Sequence, residues 1–137
     1  MKIAFTTSDR IHVNAHFGWA RQIEVYEVSD EGSTFVETLT FDGDLKEDGN
    51  EDKITPKLEA LGDCTIVYVL AIGGSAAARL IKKGVTPIKA RSEEEEIAEV
   101  LTKLVQTLKG NPPPWLRKAL KQKDTSFADE LENEATV

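Results

Sequence analysis

The chain has 137 residues, 40% of them hydrophobic, and a formal net charge of −7 at pH 7, which predicts one domain and argues against nucleic acid or an anionic membrane surface as a partner. No apolar run reaches the ~18 residues of a membrane-spanning helix, and residues 1–5 enter a strand directly, without the apolar region and cleavage site of a secretory signal. The single cysteine, Cys64, excludes an internal disulfide and fits a reducing cytoplasm, where we expect the protein to work.

Three strands are predicted in the first third of the chain. Residues 3–7 form an apolar run that is typical of a short buried strand. Residues 22–29 and 35–41 alternate between apolar and polar side chains, which indicates half-buried strands. The turn residues at 30–33 join these two strands into an antiparallel hairpin. Residues 42–52 are mostly acidic or glycine, so we expect a solvated loop there.

Helices and strands alternate in the middle of the chain. A short helix is predicted over 52–61, and Gly62 is its expected C-terminal cap. Residues 65–71 form an apolar strand of the kind that is buried on both faces of a parallel sheet. A glycine turn at 73–75 then opens a helix that continues to residue 82, and the next strand covers 85–90.

The last core helix has the clearest local signals. Ser92 is its predicted N-cap and Glu95 completes a capping box, apolar residues then recur at helical spacing, and Gly110 ends the helix. Residues 111–120 are a rigid proline-rich spacer followed by one or two helical turns. The tail, 121–137, has little apolar content, and we expect it to be disordered or weakly helical.

The order β-β-β-α-β-α-β-α predicts an α/β fold with a single-domain, mixed, mostly parallel five-stranded sheet flanked by helices. We divide the chain into a core domain (1–110), a proline-rich segment with a short helix (111–120) and an acidic tail (121–137). In such sheets ligands bind at the carboxyl ends of the strands. The first strand ends at the loop that carries His16, and the fourth ends at the glycine turn 73–75. If these two strands are neighbours, the two loops share one crevice.

Both histidines of the chain, His12 and His16, lie on the loop after the first strand. Imidazole is the commonest metal-binding side chain and titrates near neutral pH, and loops on a rigid scaffold often carry function. His16 is therefore a candidate ligand or proton carrier. The loop alone also allows a structural interpretation, in which one histidine caps a backbone group and the other is solvated.

The turn formed by Gly73, Gly74 and Ser75 resembles a helix-opening anion site, because glycines let backbone N–H groups approach a ligand at the positive helix end. It lacks the lysine of a P-loop and the full dinucleotide fingerprint, and glycines between a strand and a helix also serve simply as turn formers. Arg79, one turn further on, and Arg21 on the first loop are candidate cationic contacts. Each can instead pair with a surface acid.

Cys64 is either a small core residue or a soft ligand for iron or an iron–sulfur cluster. If strands one and four are parallel, Cys64 and His16 sit at opposite ends of the sheet, which argues against one cluster shared within one subunit. No catalytic constellation is visible in the sequence, so we expect the protein not to be an enzyme. A small hydrolase that uses Ser8 and His16 is the enzymatic alternative.

Four segments of the chain, taken in their sequence order, form one recognisable pattern. They are a histidine loop at 13–20 (VNAHFGWA), a glycine turn at 71–80 (AIGGSAAARL), a strand at 84–89 (GVTPIK) and a proline-rich segment at 110–117 (GNPPPWLR). Together they resemble the NifX/NafY family, the nitrogenase iron–molybdenum cofactor-binding domain, and the last segment is typical of its NifX branch. One departure is Ala15, where the family pattern leads us to expect a polar residue such as glutamine.

The resemblance implies a ribonuclease-H-like fold without nuclease activity and a small metallocluster carrier in nitrogen fixation. Such a carrier binds an iron–sulfur cluster precursor of the iron–molybdenum cofactor, the NifB product, and transfers it to the NifEN scaffold. Related members hold finished iron–molybdenum cofactor or bind apo-nitrogenase. His16 matches the family's cluster-associated histidine and Cys64 matches a cysteine of NifX-like members, so both are expected metal ligands. The cofactor-binding residues expected beside His16 are Asn14, Arg21, Gly73, Gly74, Ser75 and Arg79.

An alternative of a different class is a protein–protein docking or regulatory module of nitrogenase assembly, in which cluster binding is secondary. Its best motif is 112–120, where Trp115, Leu116 and Leu120 can anchor in the groove of a partner. The same residues can also form a strap that packs on the domain's own core.

Overall fold

The computed structural model describes residues 1–41 and 54–121. The predicted acidic loop at 42–52 and the predicted tail beyond residue 121 lie outside these residues. None of the helices in the two described ranges has the length and apolar content that a membrane crossing needs.

Eight helices and strands with both ends inside the described residues follow the predicted order. They are β1 (Lys2–Thr7), β2 (Gln22–Ser29), β3 (Gly32–Thr40), α1 (Thr55–Ala60), β4 (Ile66–Val69), α2 (Gly74–Lys82), β5 (Thr86–Lys89) and α3 (Ile97–Lys109). Residues 114–121 are helical as well. The hairpin is tighter than predicted, because β3 begins at Gly32 rather than at Phe35. Gly32 pairs with Ser29 at a φ of +151°, which side-chain-bearing residues rarely adopt.

The strands form one mixed sheet in the order β3-β2-β1-β4-β5. β2 is antiparallel to both β1 and β3, whereas β4 is parallel to both β1 and β5. Four of the five strands therefore run in one direction, which confirms the mixed, mostly parallel five-stranded sheet. β4 lies inside the sheet because both of its faces are apolar, and all of its residues are buried.

Successive side chains of the central strands point to opposite faces and build two apolar cores. On one face Ala4 belongs to a cluster with Leu58 of α1 and Leu80 of α2. On the other face Phe5 belongs to a cluster with side chains of α3 and with Leu116. The proline-rich segment after α3 thus packs on the domain's own core, which agrees with its interpretation as a strap.

The predicted start of the last core helix is wrong, because α3 begins at Ile97 and has no side-chain capping bond. The residues of the predicted capping box form a turn instead. The Ser92 hydroxyl accepts a hydrogen bond from the N–H of Glu94, and the Glu95 carboxylate accepts one from the N–H of Arg91. The two side chains still satisfy backbone donors, but outside a helix.

Pairing with the loop after β1 explains the late start of α3. The N–H of Val13 donates to the Glu95 carbonyl at 2.9 Å, and the N–H of Ile97 donates to the Ile11 carbonyl at 2.8 Å. Glu96, between these bonds, is extended, with a φ of −85° and a ψ of 138°. A helix cannot continue through an extended residue, so this tertiary pairing overrides the local capping signal.

Candidate functional site

The loop after β1 is fastened to the end of β4. The N–H of Phe17 donates to the Ala71 carbonyl at 2.8 Å, and the N–H of Leu70 donates to the Ala15 carbonyl at 3.1 Å. His16 and Ala71 form a parallel bridge that extends the pairing of β1 with β4. His16 therefore lies at the carboxyl edge of two central strands, the edge at which α/β sheets bind ligands.

The glycine turn lies beside this loop, as expected for adjacent first and fourth strands. Gly73 is two peptide units beyond Ala71, so its Cα lies within about 8 Å of the Cα of Ala71. It is the N-cap of α2, with a φ of −71° and no side-chain capping bond. A Cβ atom on Gly73 or Gly74 would meet nothing within 4 Å. The fold itself thus does not require glycine here, and the exposed helix start, with Ser75, leaves room for an anion.

The His16 ring is half-buried and is fixed on two sides. It stacks on Trp19, with 4.8 Å between the ring centroids and 26° between the ring planes. Its Nδ1 accepts a hydrogen bond from the N–H of Gly18 at 3.0 Å. A neutral imidazole whose Nδ1 is an acceptor carries its proton on Nε2. Nε2 has no hydrogen-bond partner among residues 1–41 and 54–121, so it is the ring atom that a ligand can meet.

The pKa values of the two histidines of the loop are shifted in opposite directions. Burial, with a smaller contribution from the charge of Lys57, lowers the pKa of His16 below its usual 6.5. The hydrogen bond between His12 Nδ1 and the Asp9 carboxylate, 2.6 Å long, raises the pKa of His12 above 6.5. At pH 7 His16 is therefore neutral, and neutral imidazole is the form that binds metals.

Asn14 shapes the loop that carries His16. Its Oδ1 accepts hydrogen bonds from the N–H of Ser8 at 2.8 Å and from the Ser8 hydroxyl at 3.2 Å. The Thr6 hydroxyl donates to the Ala15 carbonyl at 2.7 Å. These bonds tie the loop back to the end of β1 and so determine where His16 leaves the sheet.

The two candidate arginines have different surroundings. Arg21 precedes β2 directly, and because Gln22 pairs with Thr7, Arg21 lies at the carboxyl edge of β1 with an exposed side chain. Arg79 is half-buried on α2, and its Nη2 donates to the Thr55 hydroxyl of α1 at 3.1 Å. Arg21 can therefore meet a ligand from solvent, whereas Arg79 joins two helices.

The structure does not bring Cys64 to this edge. Cys64 is 1% exposed in the core just before β4, and the next residue, Thr65, donates its N–H to the carbonyl of Lys2 at the start of β1. Ala71 lies seven positions after Cys64, a span of about 23 Å at ~3.3 Å per residue of extended chain. Parallel pairing of β1 and β4 thus puts Cys64 and His16 at opposite ends of the sheet.

Lys57 is a residue of this edge that the sequence patterns did not single out. Its side chain is 0% exposed, and Nζ donates to the Phe17 carbonyl at 2.8 Å. Nζ also lies 5.9 Å from the centre of the Phe17 ring and 5.5 Å from that of Phe41, and burial lowers the pKa of Lys57 to about 8. The missed signal is spacing, because Lys57 lies three residues after Ile54 and four before Leu61, on the apolar stripe of α1.

The described residues do not form a conventional metal centre. Within 1–41 and 54–121, no group of three or more His, Cys, Asp or Glu side chains is arranged to hold a metal ion. The edge instead offers a neutral imidazole, an open helix start and a buried ammonium group. The fold and this site define a small α/β protein that offers an anionic ligand a few points of contact at one edge of its sheet.

Comparison with known proteins identifies the family. Residues 1–107 match the family model described as dinitrogenase iron-molybdenum cofactor. The chain therefore belongs to this family. The matched range includes both the His16 loop and the glycine turn beside it.

Two relatives are similar over most of the chain. Protein NifX of Herbaspirillum seropedicae is 52% identical over 122 residues, which cover 89% of this chain and 83% of that protein. Protein NifX of Rhodobacter capsulatus is 46% identical over 124 residues, which cover 88% of this chain and 77% of that protein. These matches confirm the resemblance to the NifX/NafY family that the four segments predict.

A solved structure shares the fold. The crystal structure of PH0822 superposes with a TM-score of 0.57 at 19% identity, and the match covers 77% of this chain and 91% of that one. At this level of identity the likeness concerns the fold alone, and it supports the α/β class derived from the sheet.

Proposed function

We propose that this chain is a non-enzymatic carrier in nitrogen fixation, which binds an iron–sulfur cluster precursor of the iron–molybdenum cofactor and passes it to the NifEN scaffold. The observation that carries the proposal is family membership over residues 1–107, because this range contains the His16 loop and the glycine turn. The NifB product is the proposed cargo, and NifB and NifEN are the proposed partners. Finished iron–molybdenum cofactor is the alternative cargo, and apo-nitrogenase is the alternative partner.

His16 is the proposed iron ligand, through Nε2. In the empty protein this nitrogen carries the ring proton, because Nδ1 accepts the hydrogen bond from Gly18. Coordination of iron at Nε2 would require the other tautomer of the neutral ring, in which the proton moves to Nδ1 and the hydrogen bond from Gly18 is lost, and this lowers the net affinity of the site. A single imidazole ligand of this kind suits a carrier, since four cysteine ligands would favour permanent retention of a cluster.

Local positive charge favours an anionic cargo at this edge, although the whole chain has a net charge of −7. The start of α2 offers backbone N–H groups beside His16, and the exposed Arg21 can approach from solvent. Asn14 and Arg79 support the site by tying the loop and the two helices in place. The residues proposed to contact the cluster directly are His16, Arg21, Gly73, Gly74 and Ser75.

Anaerobic loading with the isolated NifB product tests the proposal. The wild type is compared with His16→Ala and with His12→Ala, a matched control that removes the other histidine of the same loop. Bound iron and visible absorption are measured after gel filtration. We expect the wild type and His12→Ala to retain the cluster and His16→Ala to lose it. Incubation of the loaded wild type with apo-NifEN, followed by separation and iron analysis of both proteins, measures transfer.

Two other outcomes of the loading experiment would change the proposal. Equal retention by the wild type and His16→Ala removes His16 as the ligand and makes Cys64, at the opposite end of the sheet, the next candidate. Loss of the cluster from all three proteins contradicts the carrier function and favours the docking module.

A docking or regulatory module of nitrogenase assembly is the second candidate, and one observation favours it. Trp115, next to the buried Leu116, is 45% exposed. Because Leu116 belongs to the core, deleting residues 111–137 would damage the domain itself, and Trp115→Ala is the sharper variant. The docking function predicts that Trp115→Ala loses binding to NifEN in a pull-down while it still retains the cluster. Unchanged binding of Trp115→Ala to NifEN would show that Trp115 does not anchor the partner.

A further inference from the structure

Lys57 is the only fully buried lysine or arginine among residues 1–41 and 54–121. Lysine is almost never fully buried unless it is paired, yet Lys57 forms no salt bridge with any aspartate or glutamate of these residues. Burial of such a charge disfavours folding. Its presence beneath the loop that carries His16 therefore calls for a functional explanation.

One peptide group links Lys57 to His16. The Phe17 carbonyl accepts the hydrogen bond from Lys57 Nζ, and the N–H of the same peptide unit, that of Gly18, donates to His16 Nδ1. The N–H of Phe17 is held separately by Ala71. The peptide that orients the imidazole ring is thus anchored from below by the ammonium group.

We propose that Lys57 is a positioning residue for the cargo site: it anchors the Phe17–Gly18 peptide so that His16 presents Nε2, and its charge favours an anionic iron–sulfur cluster. This inference rests on the proposed carrier function. The bond from Lys57 to Phe17 does not involve the imidazole, so it holds the loop both when His16 carries its proton on Nε2 and when that proton has moved to Nδ1 and the Gly18 bond is lost.

The charge of Lys57 acts on the site through apolar surroundings. The rings of Phe17 and Phe41 flank Nζ, and a charge is screened less in such surroundings than in water. This positive charge beneath the loop favours a cargo of net negative charge at the edge beside His16.

Three variants of Lys57 separate its two contributions. Lys57→Gln retains a hydrogen-bond donor without the charge, Lys57→Met removes both, and Lys57→Arg retains both. Lys82→Met, which removes an exposed lysine of α2, controls for the loss of one positive charge at the surface. Each protein is loaded anaerobically with the isolated NifB product at pH 7, once in low salt and once in 0.5 M salt. The higher salt shortens the screening length in solution to ~4 Å, so it weakens the effect of surface charges. The dissociation constant is read from bound iron after gel filtration.

A second measurement uses the empty protein. Trp19 stacks on His16, so its fluorescence reports the position of the ring, and a Trp115→Phe background removes the other of the two tryptophans. We expect Lys57→Met to shift the Trp19 emission and Lys57→Gln to leave it close to that of the parent. Cooperative thermal unfolding identifies the variants that fold.

The expected result is a dissociation constant raised about tenfold in Lys57→Gln and further in Lys57→Met, at both salt concentrations, with Lys57→Arg and Lys82→Met close to the wild type. Folded Gln and Met variants that bind as tightly as the wild type would overturn the inference, and so would an equal loss in Lys82→Met. If the wild type itself retains no cluster, the proposed carrier function fails instead, and with it the role of the charge. An unshifted Trp19 emission in Lys57→Met would then overturn the anchoring of the loop as well.

Discussion

Replacing Lys57 with methionine should remove a pH dependence of folding stability. The buried ammonium group has a pKa of about 8 in the folded protein, compared with the ordinary 10.5. Between these two values the unfolded chain holds a proton that the folded protein has lost, so the free energy of unfolding rises with pH in this window. Below pH 8 both states hold the proton, and the unfavourable contribution of the buried charge is largest.

The expected magnitude follows from the shift in pKa. Lowering the pKa from 10.5 to about 8 corresponds to roughly 3 kcal/mol, most of which is recovered between pH 7 and pH 10. At pH 7 the variant no longer buries a charge, but it leaves the Phe17 carbonyl without its donor, a loss of about 1–3 kcal/mol. Because these effects oppose each other, the wild type and Lys57→Met should have similar stability at pH 7 and diverge at higher pH.

Urea unfolding followed by circular dichroism at pH 7, 8, 9 and 10 measures this divergence. Lys82→Met is the control, because it removes an exposed lysine. The series ends at pH 10 because burial raises the pKa of Tyr68 to about 12, and a tyrosine that keeps its proton only in the folded state lowers stability as pH rises above 10. The wild type and Lys82→Met should gain about 2–3 kcal/mol relative to Lys57→Met. If the free energy of unfolding changed with pH in the same way in all three proteins, the conclusion that Lys57 is a buried charge would be refuted.

Three further predictions concern the strap, the histidines and the glycine turn. Leu116→Ala should lower the free energy of unfolding by about 2–5 kcal/mol because Leu116 is fully buried, whereas Trp115→Ala should cost less than about 1 kcal/mol; equal losses in chemical denaturation would contradict the strap. NMR titration of the imidazole signals should give a pKa above 6.5 for His12 and below 6.5 for His16, and the reverse order would show that His16 is not the neutral histidine. Gly73→Ala should change the free energy of unfolding by less than about 0.5 kcal/mol, since its Cβ meets nothing within 4 Å, yet reduce cluster retention after gel filtration. Full retention would exclude close approach of the cargo to this turn.

Much of the fold was accessible from local patterns. The alternation at 22–29 indicates a strand with one face on the core, and the apolar run at 65–71 indicates a strand covered on both faces, so the hairpin and the central parallel strand were predicted correctly. The loop with His16 and the glycine turn were also predicted to lie side by side, because each follows one of two neighbouring strands, and the structure confirms this adjacency. Side-chain periodicity and turn chemistry are properties of neighbouring residues, and a sequence displays them without any tertiary contact.

The helix start at Ile97 shows where local signals fail. Ser92 and Glu95 have the residue types and spacing of a capping box, but they close a turn because the following backbone pairs with residues 11–13. Two backbone hydrogen bonds to a segment more than eighty residues away outweigh one local cap, and no window of sequence contains both partners.

The sequence by itself determined the order of the elements, the candidate loops and the family. Only the tertiary structure decided which of the candidate site residues lie close together. Parallel pairing of β1 with β4 brings His16 beside Gly73 and separates both from Cys64 by the length of a strand. Packing of α1 on the sheet places Lys57 beneath Phe17, forty residues earlier in the chain. The physical reason is that burial and charge at a site depend on which distant segments pack together, and these long-range contacts form only when the whole sheet is assembled.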